Sequence, residues 1–328
     1  MFRVKTSRQT RRFCCPVFRY VDAEDRAILM FDQRRPFSYG IAIILIAALL
    51  SGACYRSVAP PREVPMRTFT DDLGRKVSVP QKIESIVSLA PNLTEIIFAV
   101  GGGDLLVGVT TFCDYPAAAK SIRKVGDTQK PNIETIIALK PQIVFVSTAS
   151  QLEGFTKTLE EQRIAVFVAR PNSLDDIYKS IETIGQIVGN PERGEKLVDD
   201  MKGRVAAARG PVVYGSAPRV FVQIDKDSLY TIGHDSYITD IISCAGGVSA
   251  TADLATAYPK ISKETALAMN PDVIIISESE NDRVPNEAFR NSPAVKNGRV
   301  YLIDADLLSR PGPRVVDALE QIAEKLKQ

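Results

Sequence analysis

The stretch Asn132-Ile-Glu-Thr-Ile-Ile-Ala-Leu-Lys-Pro-Gln-Ile-Val-Phe-Val-Ser147 recurs 130 residues later as Ser262-Lys-Glu-Thr-Ala-Leu-Ala-Met-Asn-Pro-Asp-Val-Ile-Ile-Ile-Ser277. Glu, Thr, Ala, Pro and Ser coincide at five positions, and both copies share a helix-then-strand apolar pattern. Leu93-Thr-Glu-Ile-Ile-Phe-Ala-Val-Gly-Gly102 lies in the same way over Ile238-Thr-Asp-Ile-Ile-Ser-Cys-Ala-Gly-Gly247, an offset of 145 residues. Offsets of this size exceed a solenoid period and indicate two related lobes. Two lobes leave a cleft between them, and clefts between domains are where ligands bind.

Apolar runs at Ser85–Leu89, Leu105–Val109, Gln142–Val146 and Ala165–Ala169 read as strands separated by amphipathic helices. That alternation argues for a parallel sheet with helices on its faces. A helical stretch follows from Ser173 to Ala208, broken at Gly189-Asn-Pro191, and a second alternating set runs from Arg219 to a C-terminal helix at Arg314–Lys327. Before the first set, Thr68 to Val79 reads as a hairpin turning at Asp71-Asp-Leu-Gly74. The expected fold class is α/β, with two Rossmann-like lobes on parallel sheets and a ligand cleft between them.

The chain opens differently. Arg34 and Arg35 precede an apolar run, Gly40 to Leu50, which exits through Ser51-Gly-Ala-Cys54. Eleven apolar residues with a small-residue exit form a signal-peptide core, too short to span a bilayer comfortably. The small residues before Cys54 resemble a lipobox, in which the thiol is lipidated, although Ser51 stands where Leu is more usual. A charged leader is normally short, so residues 1–29 point to a true start at Met30. Tyr55 to Arg67, with Pro60, Pro61 and Pro65, reads as a tether. The expected organisation is a leader over 1–53, a lipoprotein tether over 54–67, an N-terminal lobe over 68–190, a connecting helix over 191–209 and a C-terminal lobe over 210–328.

Charge follows the same division. Residues 1–35 hold nine Lys or Arg against four acids, and from Cys54 onward 32 basic residues face 35 acidic ones, a net charge of about −3. The sequence pI of about 8.2 therefore comes from the leader, and nothing points to a nucleic-acid partner. Cys113 and Cys244 remain after Cys54; two cysteines make neither a disulfide framework nor a zinc cluster, and isolated buried thiols are expected.

In order and spacing, Val87-Ser-Leu-Ala-Pro-Asn-Leu-Thr-Glu95, Val107-Gly-Val-Thr-Thr-Phe-Cys-Asp-Tyr-Pro116, Pro131-Asn-Ile-Glu134 through Pro141, and Arg310-Pro-Gly-Pro-Arg314 resemble the cobalamin and iron-siderophore binding proteins of ABC importers. The resemblance covers about Ile83 to Ala323. It implies two lobes joined by one long helix, placed here at Pro191–Ala208, and small lobe movements on binding. It also implies a monomeric, periplasmic or surface-anchored protein that is not an enzyme. Such a protein takes no cofactor, carries a corrinoid, ferric siderophore or heme, and delivers it to a permease dimer with its ATPase. The best-known cobalamin binders of that family surround the corrin with tryptophans. This chain has no Trp, and Thr128 and Ser147 stand where two are expected.

Glu134 and Glu264 occupy the first turn of equivalent helices in the two copies. In similar proteins a glutamate on each lobe meets arginines of the permease, and charge-assisted pairs of that kind fix orientation. A first-turn Glu also complements the helix dipole, which gives no reason for a symmetric pair. Glu95 and its counterpart Asp240 read as solvated face residues or caps. By resemblance the pocket takes Phe112, Tyr258, Asp306 and Arg310: flat rings suit a macrocycle or a catecholate, and Arg310 could pair with a ligand anion. Their structural alternatives are a core role for Phe112, a plain loop role for Tyr258 and a local Arg310–Asp306 pair. His234, the single histidine, suits a loop or capping role better than a metal site, with heme ligation, alone or with Tyr237, as the alternative.

Two other classes compete with a transport role. A scaffold lipoprotein could keep the fold without the ligand, and a hydrolase would have to use His234. Gly101-Gly102-Gly103 closes a helix and precedes a strand, the reverse of a dinucleotide site, and no Gly-x-Ser-x-Gly elbow or P-loop occurs.

Overall fold

The computed structural model describes residues 65–147, 153–209, 217–279 and 283–328; the leader, Cys54 and most of the tether lie outside them. A hairpin of β1 (Met66–Thr70) and β2 (Lys76–Pro80) comes first. The first alternating set is β3 (Ile86–Ser88), α1 (Pro91–Ala99), β4 (Leu106–Val109), α2 (Ile133–Leu139), β5 (Ile143–Ser147), α3 (Glu153–Glu161), β6 (Ala165–Ala169) and α4 (Leu174–Val188). Helix α5 (Pro191–Ala208) follows. The second set is β7 (Arg219–Gln223), α6 (Tyr237–Cys244), β8 (Val248–Ser249), α7 (Lys263–Met269), β9 (Val273–Glu278), α8 (Pro293–Lys296), β10 (Val300–Asp304), α9 (Ala305–Ser309) and α10 (Val315–Leu326).

The two sheets have one topology. Their strand orders are β4-β3-β5-β6 and β8-β7-β9-β10, all parallel, so each half runs 2-1-3-4 in its own count. The local chemistry repeats as well. Asn132 caps α2 by accepting the amide of Thr135, and Ser262 caps α7 by accepting that of Thr265, as side-chain oxygens do at an N-terminus. Both helices end on a left-handed residue, Lys140 and Asn270, and a proline then blocks further helix and starts the strand.

Strands covered on both faces read as continuous apolar runs, and alternate side chains serve different cores. Ile143 and Phe145 of β5 join an inner cluster that also holds Val220, Val222, Val273 and Ile275 of the second sheet. Val144 and Val146 point the other way, towards Ile136 of α2 and Leu159 of α3; Ile274 and Ile276 face Ala266 of α7 and Phe289. One apolar cluster therefore runs through both halves, and α2 and α7 cover the outer faces. Between the halves, Gly189 ends α4 in the left-handed conformation and Pro191 opens α5, which accounts for the break in the helical stretch.

Candidate functional site

A cleft of about 360 Å³ opens at the carboxyl ends of the strands in both sheets, the place where open α/β sheets bind ligands. Ala90 and Asn92 follow β3, Phe112 follows β4, Ser147 closes β5 and Arg170 follows β6, while Tyr237, Tyr258, Asp306 and Arg310 come from the second set. The structure thus brings Phe112, Tyr258, Asp306 and Arg310 together on one cleft. Phe112 is 56% and Tyr258 48% exposed, so neither ring is spent on a core. Thr128 and Ser147 also line the cleft, where their small side chains leave room that indoles would fill.

The loops are held firmly. Beside Phe112, the buried Cys113 sulfur meets the hydroxyls of Thr94 and Thr110, each at 3.1 Å, and the Lys124 ammonium donates to the Cys113 carbonyl. Asp127 accepts the amides of Gln129 and Lys130 at 2.7 and 2.6 Å, a turn that presents Thr128 and Gln129 to the cleft. The turn starts from Gly126 at φ +97°, where a Cβ would lie 2.6 Å from the Lys130 carbonyl oxygen. Opposite, the Tyr258 loop is tied to the strand-end segment before α6: Thr231 and Gly233 donate their amides to Pro259 and Ala257. A Cβ on Gly233 would stand 2.0 Å from the Thr256 carbonyl oxygen, so this close approach needs glycine.

Tyr237 lies buried under the cleft and donates its hydroxyl to the Leu308 carbonyl. Burial, and next the adjoining Tyr258 phenol, push its pKa well up; it stays a neutral donor. His234 is exposed in the loop before α6, with Nδ1 2.8 Å from Asp235, and it is not among the cleft-lining residues.

Arg310 is not a free cation. Its Nη1 lies 2.7 Å from Asp114 and 3.2 Å from Glu95, and its Nη2 lies 2.7 Å from Asp306. The local Arg310–Asp306 pair is present as one arm of a larger network. Glu95 also accepts two hydrogen bonds from Arg314, at 2.8 and 2.6 Å, and Arg314 stacks 4.1 Å over the Tyr115 ring. This corrects the sequence reading of Glu95 as a solvated face residue: its side chain is 2% exposed. The residues that cover and neutralise it stand 215 and 219 positions away, beyond the reach of local periodicity.

Three carboxylates crowd one guanidinium, and their acidities diverge. Burial would raise the Asp114 pKa, but the hydrogen bond and charge of Arg310 outweigh it and hold the carboxyl below its ordinary value. At Asp306 burial prevails, helped by Asp114 and Asp304 against Arg310, and the pKa is raised. Asp240, the counterpart of Glu95, is half-buried and accepts the first amide of α4, from Leu174, at 3.1 Å; it is a cap, but of a helix in the other half.

Sequence reasoning missed several cleft residues, among them Arg170, Gln129 and Asn172. Arg170 and Asn172 follow the strand Ala165–Ala169, and the rule that ligands gather at strand carboxyl ends was the signal that could have found them. Away from the cleft, Glu134 and Glu264 are exposed in the first turns of α2 and α7 and take part in no ion pair found among the described residues. Its own backbone amide, the Ser262 hydroxyl and Lys263 lower the pKa of Glu264, so it is ionised at neutral pH. Cys113 and Cys244 are both free thiols, the first buried and the second half-buried.

A family model described as periplasmic binding protein matches residues 86–307. The Vitamin B12-binding protein of Vibrio cholerae serotype O1 is 33% identical over 250 residues, 76% of this chain and 91% of that protein. The ABC transporter substrate-binding lipoprotein YvrC of Bacillus subtilis is 31% identical over 301 residues, 87% of this chain and 95% of its own length. The crystal structure of the periplasmic vitamin B12 binding protein BtuF of Vibrio cholerae aligns with a TM-score of 0.65 at 32% identity, covering 75% of this chain and 97% of that one. The periplasmic heme-binding protein RhuT from Roseiflexus aligns equally well, at a TM-score of 0.65 and 26% identity over 74% of this chain and 98% of that one. A family match over more than half the chain, on a fold of two like-ordered parallel sheets with the cleft at their carboxyl ends, establishes that the chain belongs to the periplasmic binding protein family.

Proposed function

We propose that this chain captures a corrinoid or ferric-siderophore chelate in its cleft and delivers it to the permease of an ABC importer, acting as a binding protein without chemistry of its own. The observation that carries the reading is the convergence of Phe112, Tyr258, Asp306 and Arg310 on one cleft. Two exposed rings offer faces to a flat chelate, and the anchored loops fix their separation. The relatives that bind vitamin B12 support the corrinoid class. Heme is the second reading, favoured by the Tyr258 side chain on the cleft wall, since a phenol oxygen can hold a heme iron once released from its hydrogen bonds to Ser236 and Tyr237.

Titration of the purified protein with cyanocobalamin, dicyanocobinamide, hemin and a ferric catecholate siderophore, followed by absorbance, tests this directly. Saturable binding of one at micromolar concentration or below is expected; binding of none would sink the importer reading.

Delivery rests on Glu134 and Glu264, which present one carboxylate from the same place on each outer face. The double variant Glu134→Arg with Glu264→Arg is expected to abolish uptake while ligand affinity stays within twofold. A matching loss of affinity would instead make the pair structural. Anchoring rests on Cys54: Cys54→Ser is expected to move the protein from the membrane fraction to the soluble one, and unchanged fractionation would refute lipidation there. The domain plan keeps α5 as the connector of two lobes, and the apolar cluster shared by both sheets favours small movements on binding over a wide hinge. A molecular mass in solution twice that of the chain would overturn the monomer.

A further inference from the structure

We propose that Arg170 is the specificity-determining residue of the cleft, anchoring an oxyanion of the cargo, a carboxylate or a phosphodiester, against the first half; the inference rests on the importer reading above. Two arginines line the cleft, Arg170 and Arg310, and they differ in what is left to offer. Arg310 is spent. Its side chain is 10% exposed and already meets Glu95, Asp114 and Asp306, so a ligand anion would have to displace a bonded carboxylate to reach it. Together with Arg314 the cluster sets three carboxylates, Glu95 and Asp114 from the first half and Asp306 from the second, against two guanidinium groups, so no unpaired cation is left there for an oxyanion.

Arg170 is placed the other way. It stands immediately after β6, exposed, and its guanidinium takes part in none of the ion pairs found among the described residues. Its backbone is fixed on both sides: its own amide donates to Asp72 at 2.7 Å. Two residues on, the Asn172 amide donates to Asp176 at 3.0 Å, within the capping box that Ser173 and Asp176 form at the start of α4. A fixed stem with a free planar fork suits bidentate recognition of carboxylate or phosphate, and Gln129 and Asn172 add neutral donors on the same wall. Arg170 is thereby the lining arginine that keeps an unpaired charge among the described residues, so a chelate with one acidic edge binds with that edge towards the end of β6.

Four probes separate the two sources of oxyanion. Cyanocobalamin carries a phosphodiester that dicyanocobinamide lacks, and hemin carries two carboxylates that its dimethyl ester lacks. In the wild type the oxyanion-bearing member of the pair that binds is expected to bind roughly 10- to 100-fold more tightly than the member that lacks it. Arg170→Gln is expected to erase that ratio while the member without the oxyanion keeps its affinity. Arg170→Lys restores part of it, and raising the salt shrinks it. A ratio unchanged in Arg170→Gln, or a wild type that does not distinguish the members of either pair, overturns this inference and leaves the importer reading standing. A wild type that binds none of the four, nor a ferric siderophore, overturns both.

Discussion

Helices α1 and α6 occupy the same place in the two halves, and each sends one carboxylate across to the other half. Glu95 of α1 reaches Arg314 at the start of α10, and Asp240 of α6 reaches the first amide of α4. Since α4 follows the fourth strand of the first sheet and α10 follows that of the second, the two contacts are equivalent under the duplication. Their chemistry is not. Glu95 is enclosed with two guanidinium groups, whereas Asp240 holds a single backbone amide near two further acids, Asp175 and Asp176. The duplication kept the positions of the inter-half contacts, while their strengths diverged, and the strong one lies beside the cleft.

The largest effect should come from removing Glu95. Glu95→Ala leaves Arg310 with two partners but strands Arg314, whose side chain is 18% exposed, with only the Tyr115 ring. Breaking a buried pair by deleting one partner costs about 3–5 kcal/mol, and the remaining acids around Arg310 put this case near 3 kcal/mol. Urea denaturation would show it as a lower midpoint at constant slope. A Glu95→Ala protein as stable as the wild type would mean that the network is not what joins the halves here.

Asp240 should respond less than Glu95, and its pH trend should oppose that of Asp114. Asp240→Ala leaves the first amide of α4 without its cap, worth about 1 kcal/mol. Burial first, then Asp175 and Asp176, raise the Asp240 pKa above its ordinary 3.8 against the opposing Leu174 amide. The stability that it contributes is fully present below that ordinary value and is lost as pH rises through the folded-state value. Asp114 runs the other way: its pKa is lowered, so its contribution is present above the ordinary value and lost as pH falls. Asp240→Asn, which keeps an acceptor oxygen, should therefore gain on the wild type as pH rises above about 4, whereas Asp114→Asn should lose ground as pH rises towards about 4 and stay level above it. Parallel profiles for the two variants would erase the difference drawn between the contacts.

The fold was legible because its signals are local. Parallel strands buried on both faces leave uninterrupted runs such as Ile143 to Val146, and Gly189 and Pro191 mark a helix end and a helix start by backbone conformation alone. The placement of Phe112, Tyr258, Asp306 and Arg310 on one cleft was expected from the resemblance. Glu95 was not, because a glutamate on an amphipathic helix looks solvated until its partners arrive from the far end of the chain, and the same distance hid how fully Arg310 is occupied. Arg170 carries no pattern of its own; its meaning comes from the carboxylates that saturate the other cleft arginine, and these come from three separate elements.

A third contact places the buried network on a scale. Arg204 of α5 pairs with Asp317 and Glu320 of α10, each at 2.6 Å, so it too ties the helix between the halves to the second one. Its geometry matches that of Arg314, with a fork on carboxylates and short distances, but its side chain is 42% exposed. Water screens the pair and competes for its donors, and exposed pairs of this kind contribute about 0.2–1 kcal/mol. Arg204→Ala should therefore lower stability by about 0.5 kcal/mol in dilute buffer, and by less in about 1 M salt, where screening is nearly complete at contact range. Glu95→Ala should be far less salt-sensitive, because its partners are shielded from solvent ions. If the two variants shared one magnitude and one salt dependence, burial would not be what separates the contact beside the cleft from those around it.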